Sequence, residues 1–148
     1  HWKDPDVQSV QMVRAAQEYL SLNITEVARA VGVERATVYG WLRGTIQMPR
    51  EQDKRDRLAV VYAVAQAWKA RSGRPLGAWR QAPLADGRSL VDALATLGPT
   101  PELARGDIAA LVERVAAAQG DARAVHARDA RRRDERARVH GRARVRPG

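Results

Sequence analysis

NITEVARAVGVERATVYGWLRG, residues 23–44, reads as two short helices around a tight turn. In the first, Ile24, Val27, Ala28 and Val31 recur at helical spacing and make one apolar stripe. Asn23 or Thr25 can cap its start, because a side-chain oxygen there accepts from amides that the helix leaves unpaired. Gly32 stands where the helix must end in a left-handed residue, a conformation glycine adopts without steric strain. A second helix is expected from about Glu34 to Arg43, with Val33, Val38, Trp41 and Leu42 facing inward. Glu34, Arg35, Thr37, Tyr39, Gly40 and Arg43 are then left outside. This is the spacing of a helix-turn-helix, and the second helix has the length and polarity to lie in a DNA major groove.

The flanks read as helical too. Val10, Val13, Ala16 or Gln17, and Leu20 keep helical spacing in a first helix over Asp4 to Leu20, with Asp4-Pro5 as its start signal and Trp2 at its edge. After a loop in which Pro49 blocks helix continuation, a long helix is expected over Glu51 to Ser72. Its apolar positions Leu58, Val60, Val61, Val64, Ala65 and Trp68 form a stripe wide enough to need cover on more than one side. A partner subunit and the chain's own elements are equal candidates for that cover, and the first predicts a homodimer. Gly73 and Pro75 end this helix, Leu76 to Gln81 forms a short turn carrying Trp79, and Ser89 caps a helix running to Leu97 before Gly98-Pro99. Ile108, Leu111, Val112 and Val115 then line one face of a helix over Asp107 to Gln119, which Gly120 closes. No period-two strand occurs anywhere.

Charge is distributed unevenly. The 148 residues carry a formal net charge of +9. From Asp121 to Gly148 ten arginines face four acidic residues, a net of +6, whereas residues 1–120 hold 16 basic and 13 acidic side chains. A basic tail on a nearly neutral body attracts phosphate backbones, and Arg131, Arg132 and Arg133 are its candidate phosphate clamp. Asp129 with Arg133 and Asp134 with Arg138 are helix-compatible pairs, so partial helicity is expected up to Gly141.

The inventory argues against an enzyme. There is no cysteine, so thiolate catalysis, disulfides and thiolate zinc sites are excluded. The three histidines are His1, His126 and His140, none in a pattern that would hold a metal or serve a nucleophile. No Walker-type phosphate loop occurs, and no cofactor is expected. The longest apolar run, Leu58 to Ala65, is too short to span a membrane, and no leader pattern opens the chain. A cytoplasmic, nucleoid-associated location is therefore expected.

Two segments together resemble the Xre/MbcA/ParS family of bacterial antitoxins. One is the 23–44 motif. The other begins at Asp56-Arg57-Leu58, passes through the long apolar helix to Trp79, Pro83 and Gly87-Arg88-Ser89, and ends in Val91-Asp92-Ala93-Leu94. The likeness covers about residues 23–115; Arg80, Leu90, a short 83–87 loop and the tail after Gly120 depart from the family pattern. The resemblance implies a dimeric repressor that binds its own operon and neutralises an NAD-consuming toxin of the RES type. It also implies partner contacts at Trp79, Pro83, Gly87, Arg88, Ser89 and Leu94 within a toxin-holding 76–115 region. Double-stranded DNA, a second copy and a toxin are thus the expected partners. The expected fold is all-α: a helix-turn-helix domain over 1–48, a helical dimerisation and partner-binding domain over 51–120, and a partly helical or disordered tail over 121–148. A DNA-binding accessory or organising protein of a mobile element, with no toxin, is the alternative reading.

Overall fold

Helical periodicity punctuated by glycine and proline sets the order of elements. The computed structural model describes residues 9–45 and 51–144, and all regular structure among them is helical. The helices are α1 (Ser9–Tyr19), α2 (Ile24–Val31), α3 (Arg35–Arg43), α4 (Gln52–Ser72), α5 (Leu90–Ala95) and α6 (Arg105–Arg144), with a 3-10 turn at Gly77–Gln81. Trp2, the Asp4-Pro5 start signal and Pro49 lie outside the described residues.

α4 is the centre of the body. Leu58, Val60, Val61, Val64, Ala65 and Trp68 are all buried, and the cover comes from within the chain: α1, α2 and α6 each pack on α4. The breadth of the stripe therefore gives no reason to invoke a second subunit there. α1 reaches α4 with Met12, Val13, Ala16 and Leu20 and also touches α3. α5 packs on α2. Buried residues on both sides of the expected 48/51 boundary join one continuous cluster, from Met12 to Val115.

Polar contacts knit the same seam. Arg57 on α4 donates to the carbonyls of Leu94 (3.2 Å) and Leu97 (3.1 Å), placing a cation at the negative, C-terminal end of α5. α5 accordingly stops at Ala95 rather than at Leu97. Arg80, one of the departures from the family pattern, pairs with Glu26 at the start of α2 (3.1 Å). The chain between α1 and α2 is held by Ser21, whose hydroxyl accepts from the Gly77 amide at 2.8 Å.

Gly120 does not end a helix. α6 runs through it without a break to Arg144. A glycine inside a helix costs only about 1 kcal/mol relative to alanine, which flanking alanines and arginines of good helix propensity offset. No atom within 4 Å would meet a Cβ at Gly120, so packing does not require glycine there. Among the described side chains of α6, the last buried one is Val115. Beyond it, about 29 residues at about 1.5 Å each extend the helix by roughly 45 Å.

Candidate nucleic-acid interface

The 23–44 stretch folds as its local chemistry dictates. Asn23 Oδ1 accepts from the Glu26 amide at 2.8 Å while Glu26 Oε1 accepts from the Asn23 amide at 3.0 Å, so two orphan donors at the start of α2 are satisfied reciprocally. α2 ends at Gly32, whose φ of +82° is the left-handed conformation the turn needs and whose amide returns to the Ala28 carbonyl. Two residues later α3 begins, with Glu34 at its N-cap position.

α3 has only nine residues, too few to be stable as an isolated helix. Val38 and Trp41 hold it, both buried in the core, with Val33 and Leu42 half-buried beside them. Arg35, Tyr39 and Arg43 are exposed, and so is Glu34; Thr37 is half-buried. The Arg43 guanidinium lies 5.5 Å from the centre of the Tyr39 ring, itself 37% exposed, so the two side chains brace each other on one flank. Gly40 is the exception to the expected outer face. It is buried, and its carbonyl accepts from both the amide (3.0 Å) and the hydroxyl (3.2 Å) of Thr45. With no side chain to reach outward and its backbone covered by the end of its own helix, Gly40 offers nothing to a ligand.

The second expected set falls into four groups. Trp79 is half-buried against α6: the Arg123 guanidinium stands 5.7 Å from its ring and His126 meets it edge-on at 6.1 Å. Pro83 is exposed on a cleft of about 460 Å³ between the 82–85 loop and the Ala117, Ala118 and Val125 flank of α6. Gly87, Arg88 and Ser89 are structural in their visible contacts. Gly87 turns the loop at φ +82°, Arg88 pairs with Asp86 at 3.0 Å, and Ser89 caps α5 through the Asp92 amide at 3.2 Å. Leu94 is 0% exposed; as a core side chain it has no surface to present to a partner.

Asp86 is the residue that pattern reading passed over. Its carboxylate accepts from the Arg88 amide and guanidinium and from Arg114 on α6 (2.9 Å), tying the loop to the root of the long helix. The Arg88 amide, then its guanidinium, hold the Asp86 carboxyl below its ordinary value. An Asp-Gly turn followed by arginine carried the signal, but the Arg114 partner lies 28 residues away.

Arg131, Arg132 and Arg133 are exposed on the outer part of α6. On a helix, consecutive residues step by about 100°, so the three fan over roughly 200° and do not converge on one phosphate. Neither Asp129 with Arg133 nor Asp134 with Arg138 closes to ion-pair distance. Among the described residues no cluster of three or more potential metal ligands occurs, and no helix is long and apolar enough to cross a membrane. Comparison with known protein families, with curated protein sequences and with solved structures finds no match to this chain.

Proposed function

We propose that this chain binds duplex DNA sequence-specifically through α2, the Gly32 turn and α3 acting as a helix-turn-helix, and that it represses transcription in the manner of an antitoxin. The observation that carries the reading is the two-sidedness of α3. Its inner side is pinned by Val38 and Trp41, and its outer side presents Arg35, Tyr39 and Arg43 with Thr37 at the margin. Arginine can pair bidentately with guanine in the major groove, while threonine and tyrosine reach phosphates or a thymine methyl. The antitoxin part rests on the resemblance of residues 23–115 to the Xre/MbcA/ParS family. On that reading the protein works as a homodimer, and a RES-type toxin docks near Trp79 and Pro83.

Footprinting on the chain's own promoter tests the reading. A discrete inverted repeat is expected; a diffuse footprint would replace the repressor by a DNA-organising accessory protein, the alternative that the long basic helix favours. Arg35→Ala should weaken binding to the cognate site by about 1–3 kcal/mol and relax the base preference it reads, with thermal stability unchanged. A variant with wild-type affinity and preference would remove α3 as the reading surface.

A further inference from the structure

Because α6 continues through Gly120, the arginines of the tail have defined faces. Arg128, Arg132 and Arg136 recur every four residues and share one face, stacked about 6 Å apart along the axis. All three are exposed, and none forms an ion pair with a described residue. Arg128 only folds back on the Ala124 carbonyl at 3.4 Å.

Their helical neighbours set Arg128 and Arg136 apart from the other arginines. Arg131 and Arg138 each have Asp134 and Glu135 three and four residues away, and Arg133 has Asp129 at four. Arg128 has Ala124, Val125, Arg131 and Arg132 at those spacings, and Arg136 is flanked by Arg132, Arg133 and Val139. Arg132 has Asp129 and Glu135 at three residues, pairs with neither, and is bracketed by Arg128 and Arg136 at four. Like charges four residues apart repel and weaken a helix. A helix built only to stay soluble would place acidic residues beside Arg128 and Arg136 as it does beside Arg131, Arg132 and Arg138. At Arg128 and Arg136 the row has no acidic neighbour at those spacings, and none of the three arginines is ion-paired, so the row keeps positive charge that an external polyanion would relieve.

We propose that this face of α6 is a rail for the phosphate backbone of duplex DNA, a contact separate from α3 and indifferent to base sequence. It rests on the DNA-binding reading above and adds a second surface to it. α3 packs on α1 and α2 while α6 packs on α4, so the two surfaces are carried by different elements of one body. A duplex carries one charge per about 1.7 Å of axis, and each phosphate neutralised adds about 0.9 to the dependence of log affinity on log salt. Three arginines therefore account for a slope of about 2–3.

The test compares two charge-matched variants of the full chain on a random-sequence duplex over a salt series. The on-row triple is Arg128→Ala, Arg132→Ala and Arg136→Ala; the off-row triple is Arg131→Ala, Arg133→Ala and Arg138→Ala. Alanine favours helix at least as well as arginine, and circular dichroism checks that both arms remain helical. The on-row triple should flatten the salt slope by about 2–3 and the off-row triple by less than about 1. Equal slopes in the two triples, an unchanged slope in the first, or no duplex binding by the wild type would overturn the rail. Arg35→Ala with Arg43→Ala, measured on the promoter repeat, separates the two ideas. If base preference survives that change while the on-row triple still flattens the slope, the α3 reading fails and the rail stands.

Discussion

α3 and the outer part of α6 are both exposed and both carry arginine, yet they are held in opposite ways. α3 is short and exists because Trp41 and Val38 are locked into the core. The outer α6 is long and touches the body only at its root, where Arg123 and His126 meet Trp79. Beyond that, its large apolar side chains lie open: Val125 is 52% and Val139 67% exposed. One helix is therefore made by tertiary packing and the other by length and propensity. Side chains on the first are fixed relative to the whole fold, which suits reading bases. Those on the second are fixed only relative to each other, which suits following a backbone.

The sharpest way to break this contrast is at Trp41. Trp41→Ala should destabilise the body by about 3–5 kcal/mol, through lost transfer energy and the cavity left behind, and urea unfolding would register it. Val139→Ala, at an exposed position of the outer helix, should stay within about 0.5 kcal/mol of wild type. Comparable losses from both would mean that the outer helix is part of the cooperative unit.

Two glycines give the next test, with opposite signs. Gly32 needs its positive φ, and a Cβ there would also lie 3.2 Å from Lys54 Nζ. Gly32→Ala should therefore cost about 1–2 kcal/mol. Gly120 sits in ordinary helix with open space around it, so Gly120→Ala should strengthen the helix by about 0.5–1 kcal/mol. Amide exchange that slows on both sides of residue 120 would confirm this, and faster exchange would show that the glycine is needed.

The smallest effect expected is a pH dependence at the root of the arm. Asp86 has its carboxyl depressed by the Arg88 amide and guanidinium. A depressed acid contributes stability that is complete above its unfolded value and fades as pH falls through the lower folded value. Asp86→Asn should remove that acid-limb loss, leaving a flatter stability profile at low pH. Parallel wild-type and variant profiles would show that Asp86 does not anchor the 83–88 loop to α6.

What could be read from the sequence is what neighbouring residues decide. The Asn23 cap, the Gly32 turn, the Gly73 stop and the Ser89 cap each depend on partners within a few positions, and the inward side of Val38 and Trp41 follows from helical spacing. Gly120 was misleading because a glycine signals a stop only when the sequence beyond it is a poor helix former, and here it is rich in alanine and arginine. Residue type reads Gly40 as outward and the resemblance reads Leu94 as a partner contact, whereas both are buried on helices that pack against distant parts of the chain, α3 on α1 and α2 and α5 on α2. The cover over α4 could not be read at all, since α1, α2 and α6 reach it from distant parts of the chain.

The continuity of α6 also has a mechanical consequence. From His126, where it meets Trp79, to Arg144 the arm is roughly 27 Å long, so a tilt of about 10° at that point sweeps the tip through about 5 Å. The cleft beside Pro83 lies along the stretch of α6 that precedes this arm, where Asp86 and Arg114 join loop to helix.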